Sequence, residues 1–202
     1  ILDLFVSNRN KIVTHLFSLA ALAVVLFMLA TGVGGQGEVF HGMFVRDTAA
    51  DVMKTGIVLL SGLTLVYGWR YLRDRNLFQG EIPVLILFGT AGMMILVSAG
   101  SLLMVYLGLE LLALCSYALV ASNRENGLAS EAAMKYIVLG SLASGLLLYG
   151  MSLIYGATGS LHLDVIRDAI PHSEERVLLI TGAVLMIAGV AFKLGAAPFH
   201  MW

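Results

Sequence analysis

The sequence predicts an all-α fold, a polytopic transmembrane helix bundle, on three observations. Of 202 residues, 59% are hydrophobic and 12% charged, where soluble domains carry about 25% charged residues. The charges gather between apolar runs long enough to cross a bilayer, which needs about 20 residues each. Charges that fall inside the runs are single and isolated, the pattern of a buried group and not of a solvated face. The formal charge of −1, from 12 Lys and Arg against 13 Asp and Glu, leaves no basic excess to hold nucleic acid.

The first span is expected at 12–35, within a stretch from 12 to 37 that has no Asp, Glu, Lys or Arg. At about 1.5 Å per residue it crosses a hydrocarbon core of about 30 Å. It is too long for a signal peptide and has no convincing cleavage site. The second span, 52–70, is bounded by Asp51 and Lys54 at one end and by Arg70, Arg73 and Arg75 at the other. Between 82 and 123 the only charge is Glu110, and one helix of that length would measure roughly 60 Å, twice the core. The chain must therefore fold back, and Ser98-Ala99-Gly100-Ser101 supplies the turn between spans at 82–98 and 102–121. Spans at 131–156 and 177–197 bring the expected number to about six. All are helices, because an isolated strand cannot satisfy its backbone in lipid. The chain reads as one transmembrane domain, and its start at Ile1 and end at Trp202 read as those of a piece of a longer protein.

Arg9, Lys11, Arg70, Arg73, Arg75 and Arg124 fall on the side where the first span begins. Arg46, Arg167 and Arg176 fall on the other, with Lys54 at its edge. The excess makes the first side cytoplasmic. Gly140, Ser141, Ser144 and Gly145 form overlapping small-xxx-small pairs, which are read as a helix-packing feature without chemistry. Gly32-Val33-Gly34-Gly35-Gln36-Gly37 has the spelling of a dinucleotide loop, but it follows a membrane span and not a strand, so no nucleotide site is assigned. The single cysteine, Cys115, makes no internal disulfide. No Cys/His spacing of a zinc or iron–sulfur site is present, so no redox centre is expected in this chain.

Three ionisable residues lie inside spans: Glu110, Lys135 and Lys193. Each costs about 2.5 to 3.5 kcal/mol or more at a helix centre unless paired or hydrated. Glu110 has no compensating charge one turn away on its own helix, so a partner must come from another. Lys135 follows Glu131 by four residues, in the orientation that favours an intrahelical ion pair, and stands near enough to a helix end to snorkel. Lys193 follows about 16 apolar residues and cannot reach water along its own helix. Beyond it, Pro198 in Gly195-Ala196-Ala197-Pro198 lacks an N–H and opposes the carbonyl of Leu194, so the helix should break there. Broken helices are tolerated at membrane depth where the freed backbone lines a hydrated cavity. His200, two residues past the proline, titrates near neutrality and is a candidate to pass a proton on.

Three runs together resemble a known family: Gly108-Leu109-Glu110-Leu111-Leu112, Ala132-Ala133-Met134-Lys135-Tyr136, and Phe192-Lys193-Leu194-Gly195-Ala196-Ala197-Pro198-Phe199-His200-Met201-Trp202. They are similar to the antiporter-like subunit N family, subunit 2 of mitochondria and chloroplasts, of the proton-translocating NADH:quinone oxidoreductase, respiratory complex I. The resemblance covers the chain from its first span to its last residue. It implies that the six spans match the second through seventh helices of a longer subunit in a bacterial inner membrane. It implies that Glu110 and Lys193 are the central ionisable pair, with Lys135 and His200 as further proton-path residues. Partners would be the other membrane subunits and the lipid bilayer, with no soluble small-molecule substrate. Quinone, FMN and iron–sulfur clusters would belong to other parts of the complex, leaving this chain without a cofactor. Two readings compete: a subunit of a multi-subunit cation/proton antiporter or membrane-bound hydrogenase, and a membrane-arm scaffold with no ion path of its own.

Overall fold

A computed structural model describes residues 12–75, 77, 79–197 and 199. In chain order these form α1 (Ile12–Thr31), a hairpin of β1 (Gly37–Val39) and β2 (Phe44–Arg46), α2 (Thr48–Asp74), α3 (Glu81–Val97) and α4 (Leu102–Val120). α5 (Gly127–Thr158), α6 (Leu163–Ala169), a 3-10 turn (Ile170–His172) and α7 (Arg176–Lys193) follow. Among the described residues five helices, α1, α2, α4, α5 and α7, are long and apolar enough to cross a membrane. The sixth apolar helix, α3, has 17 residues, at the short end of the usual range. Large apolar side chains such as Phe27, Leu60 and Leu142 point outward, as they do when the solvent is hydrocarbon.

Helix starts follow local chemistry. The Asp47 carboxylate accepts from the Ala50 N–H at 2.7 Å and opens α2 four residues before the expected span. Ser101 accepts from Met104 N–H at the start of α4, and Asn126 accepts from Leu128 N–H at the start of α5. Each side chain satisfies a backbone donor that the first helical turn leaves unpaired. α5 runs for 32 residues, about 48 Å, so it extends well beyond a hydrocarbon core.

The end of α7 differs from the expected span, which ran to 197. The helix stops at Lys193 because Gly195 takes a left-handed conformation, φ 63°. Its N–H donates to Phe192 O at 2.9 Å, and Ala196 N–H donates to Ala191 O at 2.9 Å. This is the Schellman pattern, in which a glycine closes the last carbonyls of a helix. The break thus begins at Gly195, within the Gly195–Pro198 stretch where the sequence places it; Pro198 itself lies outside the described residues.

A strand pair was not expected at all. The glycine run after α1 turns the chain into the antiparallel hairpin, which pairs Gly37 with Arg46 and Val39 with Phe44. Arg46 donates through Nη1 to Val33 O at 2.6 Å, with its guanidinium against Gly34. The glycines of the nucleotide-like spelling therefore make a turn that admits an arginine. The hairpin is tied to the turn between α3 and α4, where Val45 N–H donates to Ser98 O and Gly100 N–H to Met43 O, each at 2.8 Å. The same turn donates from Leu102 N–H to Leu161 O at 2.9 Å, which fixes the entry to α6.

Two helix pairs are packed backbone to backbone. A Cβ built on Gly92 of α3 would stand 2.9 Å from Gly108 O of α4, and one on Gly108 would stand 2.9 Å from Gly92 O. In α5 and α7, a Cβ on Gly150 would stand 2.6 Å from Gly182 O, and one on Gly189 would stand 2.8 Å from Ala143 O. Small residues let helices in lipid approach this closely, where dispersion and not a hydrophobic driving force holds them. Between the two pairs the contact is made by side chains. Leu102, Leu147, Met151 and Ile166 form a buried cluster with Val105, Leu109, Met186 and Val190 against it.

Candidate functional site

The site lies where these two helix pairs meet. Glu110 is the ninth residue of α4, Ser144 lies past the midpoint of α5, and Lys193 ends α7. The Lys193 ammonium donates from Nζ to Glu110 Oε1 at 3.0 Å and to Ser144 Oγ at 2.9 Å. The Ser144 hydroxyl donates in turn to Glu110 Oε1. The three polar atoms thus close a triangle of hydrogen bonds drawn from three helices. The Lys193 and Glu110 side chains are 11% and 21% exposed, so the ion pair is largely withdrawn from the surroundings.

The arrangement has physical logic at each corner. An ammonium on the last residue of a helix faces the carbonyl end, where the helix dipole favours positive charge. The carboxylate supplies the counter-charge that an apolar bundle demands. The hydroxyl can accept from one partner and donate to the other, which neither charged group can do while ionised. Next to the pair is a cavity of about 270 Å³ whose lining includes Lys193, Ser116, Tyr117 and Tyr136 amid leucines. It is roomy enough for water. The Tyr117 and Tyr136 rings meet edge to face at 4.7 Å, and Tyr117 packs over Gly140.

The candidate residues do not all converge. Glu110 and Lys193 meet directly. Lys135 pairs with Glu131 at 2.6 Å, with both side chains more than half exposed. It precedes Ser144 by nine residues, which rotates its side chain by about half a turn, to the opposite face of α5. His200 lies outside the described residues. Among the described residues no group of three or more His, Cys, Asp and Glu side chains is disposed to hold a metal ion.

Two residues have more to do than their sequence context indicated. Ser144 was legible only as a small residue in a packing stripe. A signal existed, since it stands one turn from Gly140 on a face that the small residues mark as an interface, but nothing in the sequence aims its hydroxyl at a charge. Lys54, read as a flanking charge, is 4% exposed beneath the hairpin. Its Nζ lies 4.8 Å from the centroid of the Phe44 ring, within cation–π range. Beside it, Arg46 donates from Nε to both Asp51 carboxylate oxygens, at 2.9 and 3.1 Å.

Comparison with known proteins agrees with this architecture. The family model described as NADH:quinone oxidoreductase/Mrp antiporter, TM matches residues 99–202, which carry the whole triangle. NADH-quinone oxidoreductase subunit N of Xanthomonas euvesicatoria pv. vesicatoria is 81% identical over 201 residues, covering 100% of this chain and 41% of its own length. Its counterpart in Halorhodospira halophila is 50% identical over 203 residues, covering 100% and 42%. The chain therefore spans about two fifths of the length of the curated relatives it matches. A chain of respiratory complex I from Thermus thermophilus, solved with bound aureothin, superposes with a TM-score of 0.76 at 32% identity, over 95% of this chain and 41% of that one. A chain of an Mrp complex from Dietzia, with TM-score 0.76 and 24% identity over 95% of this chain and 38% of that one, shares the fold. Apolar helices, bacterial relatives and the matched membrane domain make this a multi-pass inner-membrane protein. The chain belongs to the NADH:quinone oxidoreductase/Mrp antiporter transmembrane family.

Proposed function

We propose that this chain is a section of an antiporter-like membrane subunit that moves protons in a bacterial NADH:quinone oxidoreductase. One observation carries the reading: Glu110 and Lys193 come from different helices to form a withdrawn ion pair beside a cavity large enough for water. Intramembrane ionisable groups are expensive and mark ion paths. The names of the relatives at 81% and 50% identity support the same reading.

The pair works as a proton exchanger when its separation changes. With Glu110 in contact, the ammonium keeps its proton because a counter-charge faces it. When Glu110 withdraws, the cation is left in an apolar bundle and yields a proton to the next acceptor. Return of the carboxylate draws a replacement proton onto Lys193 from the other side. His200, beyond the end of α7, extends the path. Lys135, across α5 from the pair, is a separate station near the helix end. Oxidation of NADH and reduction of quinone, with FMN and the iron–sulfur clusters, take place in other subunits. Neighbouring membrane subunits transmit their effect to the pair.

The test is Lys193→Ala in the complete complex, measured in sealed membrane vesicles. The expected result, measured per complex assembled, is collapse of the NADH-driven, quinone-dependent pH gradient. Pumping at the wild-type ratio of protons to electrons would overturn the reading and favour a scaffold role.

A further inference from the structure

The triangle at the seam has one corner with no charge, and that corner belongs with Lys193. Ser144 directly follows Ala143, whose carbonyl faces Gly189, and Gly189 lies one helical turn before Lys193. The backbone contact between α5 and α7 is therefore one turn from the Ser144–Lys193 hydrogen bond. The backbones that carry these two groups keep their spacing unless the helices part, so a hydrogen bond between them can persist while α4 moves. Glu110 is carried by α4, which has its own backbone contact with α3 only two residues away, at Gly108. Beside Glu110 the seam is made by side chains, leucines, methionine and Tyr117, while the backbone hydrogen bonds between the halves, Leu102 N–H to Leu161 O and Leu163 N–H to Gly100 O, lie about two helical turns away at the start of α4. Packed helices shift against one another by small sliding motions, and interdigitated side chains yield to such motion more readily than apposed backbones.

We propose that Ser144 is the positioning residue of the Glu110–Lys193 pair, the partner that stays with Lys193 when Glu110 moves away. Resting on the proton-translocating reading above, it adds a residue and a division of labour. The α3–α4 pair carries the movable carboxylate, and the α5–α7 pair carries the ammonium with its fixed hydroxyl. In contact, Lys193 donates to both oxygens and the hydroxyl donates to the carboxylate. With Glu110 withdrawn, Ser144 Oγ still accepts from the ammonium and holds Nζ at the cavity wall. Once the proton has left, the hydroxyl turns and donates to the lone pair of the neutral amine. The proton count closes, since the ammonium loses one proton to the path and Ser144 keeps its own throughout. Without the hydroxyl, the side chain of Lys193 is free to swing as soon as the carboxylate leaves.

Among the described residues, the other titratable groups around the pair are Tyr106 and Tyr117 on α4 and Tyr136 on α5. The one ionisable side chain of α3, Glu81, is paired at 2.7 Å with Arg124 at the helix start, away from the site.

The experiment compares Ser144→Ala, Ser144→Thr and the control Ser141→Ala in the complete complex, by NADH-driven proton uptake in vesicles across a pH series. Ser141 donates to Val138 O on an exposed face and touches neither charge. The expected result is a several-fold fall in protons moved per electron for Ser144→Ala. That fall should persist across the pH series, with recovery in Ser144→Thr and no change in Ser141→Ala. Should Ser144→Ala not assemble, Ser144→Cys, close in size with a weaker donor, is expected to show a fall in the same direction. A Ser144→Ala or Ser144→Cys profile that coincides with wild type overturns the proposal, and so does loss of pumping that threonine fails to restore. Lys193→Ala in the same series separates the two ideas. If it stops pumping while the serine variants match wild type, only the role of Ser144 falls; if it pumps normally, the underlying reading falls with it.

Discussion

Lys193, the last residue of α7, donates across 3.0 Å to Oε1 of Glu110, a residue 83 positions earlier in the chain. A carboxylate and an ammonium so withdrawn are each tolerable only because of the other. Removing one partner leaves an uncompensated charge, which costs far more than the pair itself contributes.

Glu110→Ala should therefore lower the stability of the assembled complex by about 3 to 5 kcal/mol. The double change Glu110→Leu with Lys193→Met removes both charges and should restore stability to near or above wild type, while leaving no pumping. Thermal dissociation of the purified complex, read alongside vesicle pumping, checks both halves. Equal destabilisation by the single and double changes would show that the two groups do not compensate one another.

Lys135→Ala should change little. Its partner Glu131 is one turn away and both are more than half exposed, a setting in which a helical ion pair contributes little. The expected outcome is an unchanged melting temperature and a smaller loss of pumping than in Lys193→Ala. A loss as large as that of Lys193→Ala would place Lys135 on the same obligatory step as the pair.

The glycines of α5 should divide into two kinds. Gly150 faces Gly182 O and has no room for a side chain, whereas nothing stands within 4 Å of a Cβ on Gly145. Gly150→Val should force α5 from α7 at a cost of about 1 to 3 kcal/mol or more and lower the yield of assembled complex. Gly145→Ala should be neutral, or stabilising by about 0.5 to 1 kcal/mol through the better helix propensity of alanine. Immunoblots of membrane-assembled complex and melting curves distinguish the two.

Gly195→Ala tests the end of α7. A left-handed conformation costs a side-chain-bearing residue about 1 to 2 kcal/mol, so the variant should either lose that much stability or draw the helix onward past Lys193. Both outcomes displace the ammonium from Glu110, and pumping should fall. A variant with unchanged melting and unchanged pumping would show that the left-handed turn is dispensable.

Much of this protein can be read in one dimension, because a bilayer imposes a one-dimensional rule: every span must be apolar, long and helical. The sequence alone determines the all-α bundle, the rough position of its helices, the reversal between Val97 and Leu102, and the isolation of Glu110 and Lys193 among apolar neighbours. It also marks Lys135 as the neighbour of Glu131. Only the tertiary structure decides that Glu110 and Lys193 face each other, that Ser144 stands between them, that Lys135 points to the other side of α5, and that a hairpin buries Lys54. The reason lies in the solvent. Around a helix in lipid, the buried and outward faces are both apolar, so hydrophobic periodicity does not say which way a side chain points. Rotation about the helix axis is set by close backbone contacts such as Gly150 with Gly182, and those exist only once both helices are in place.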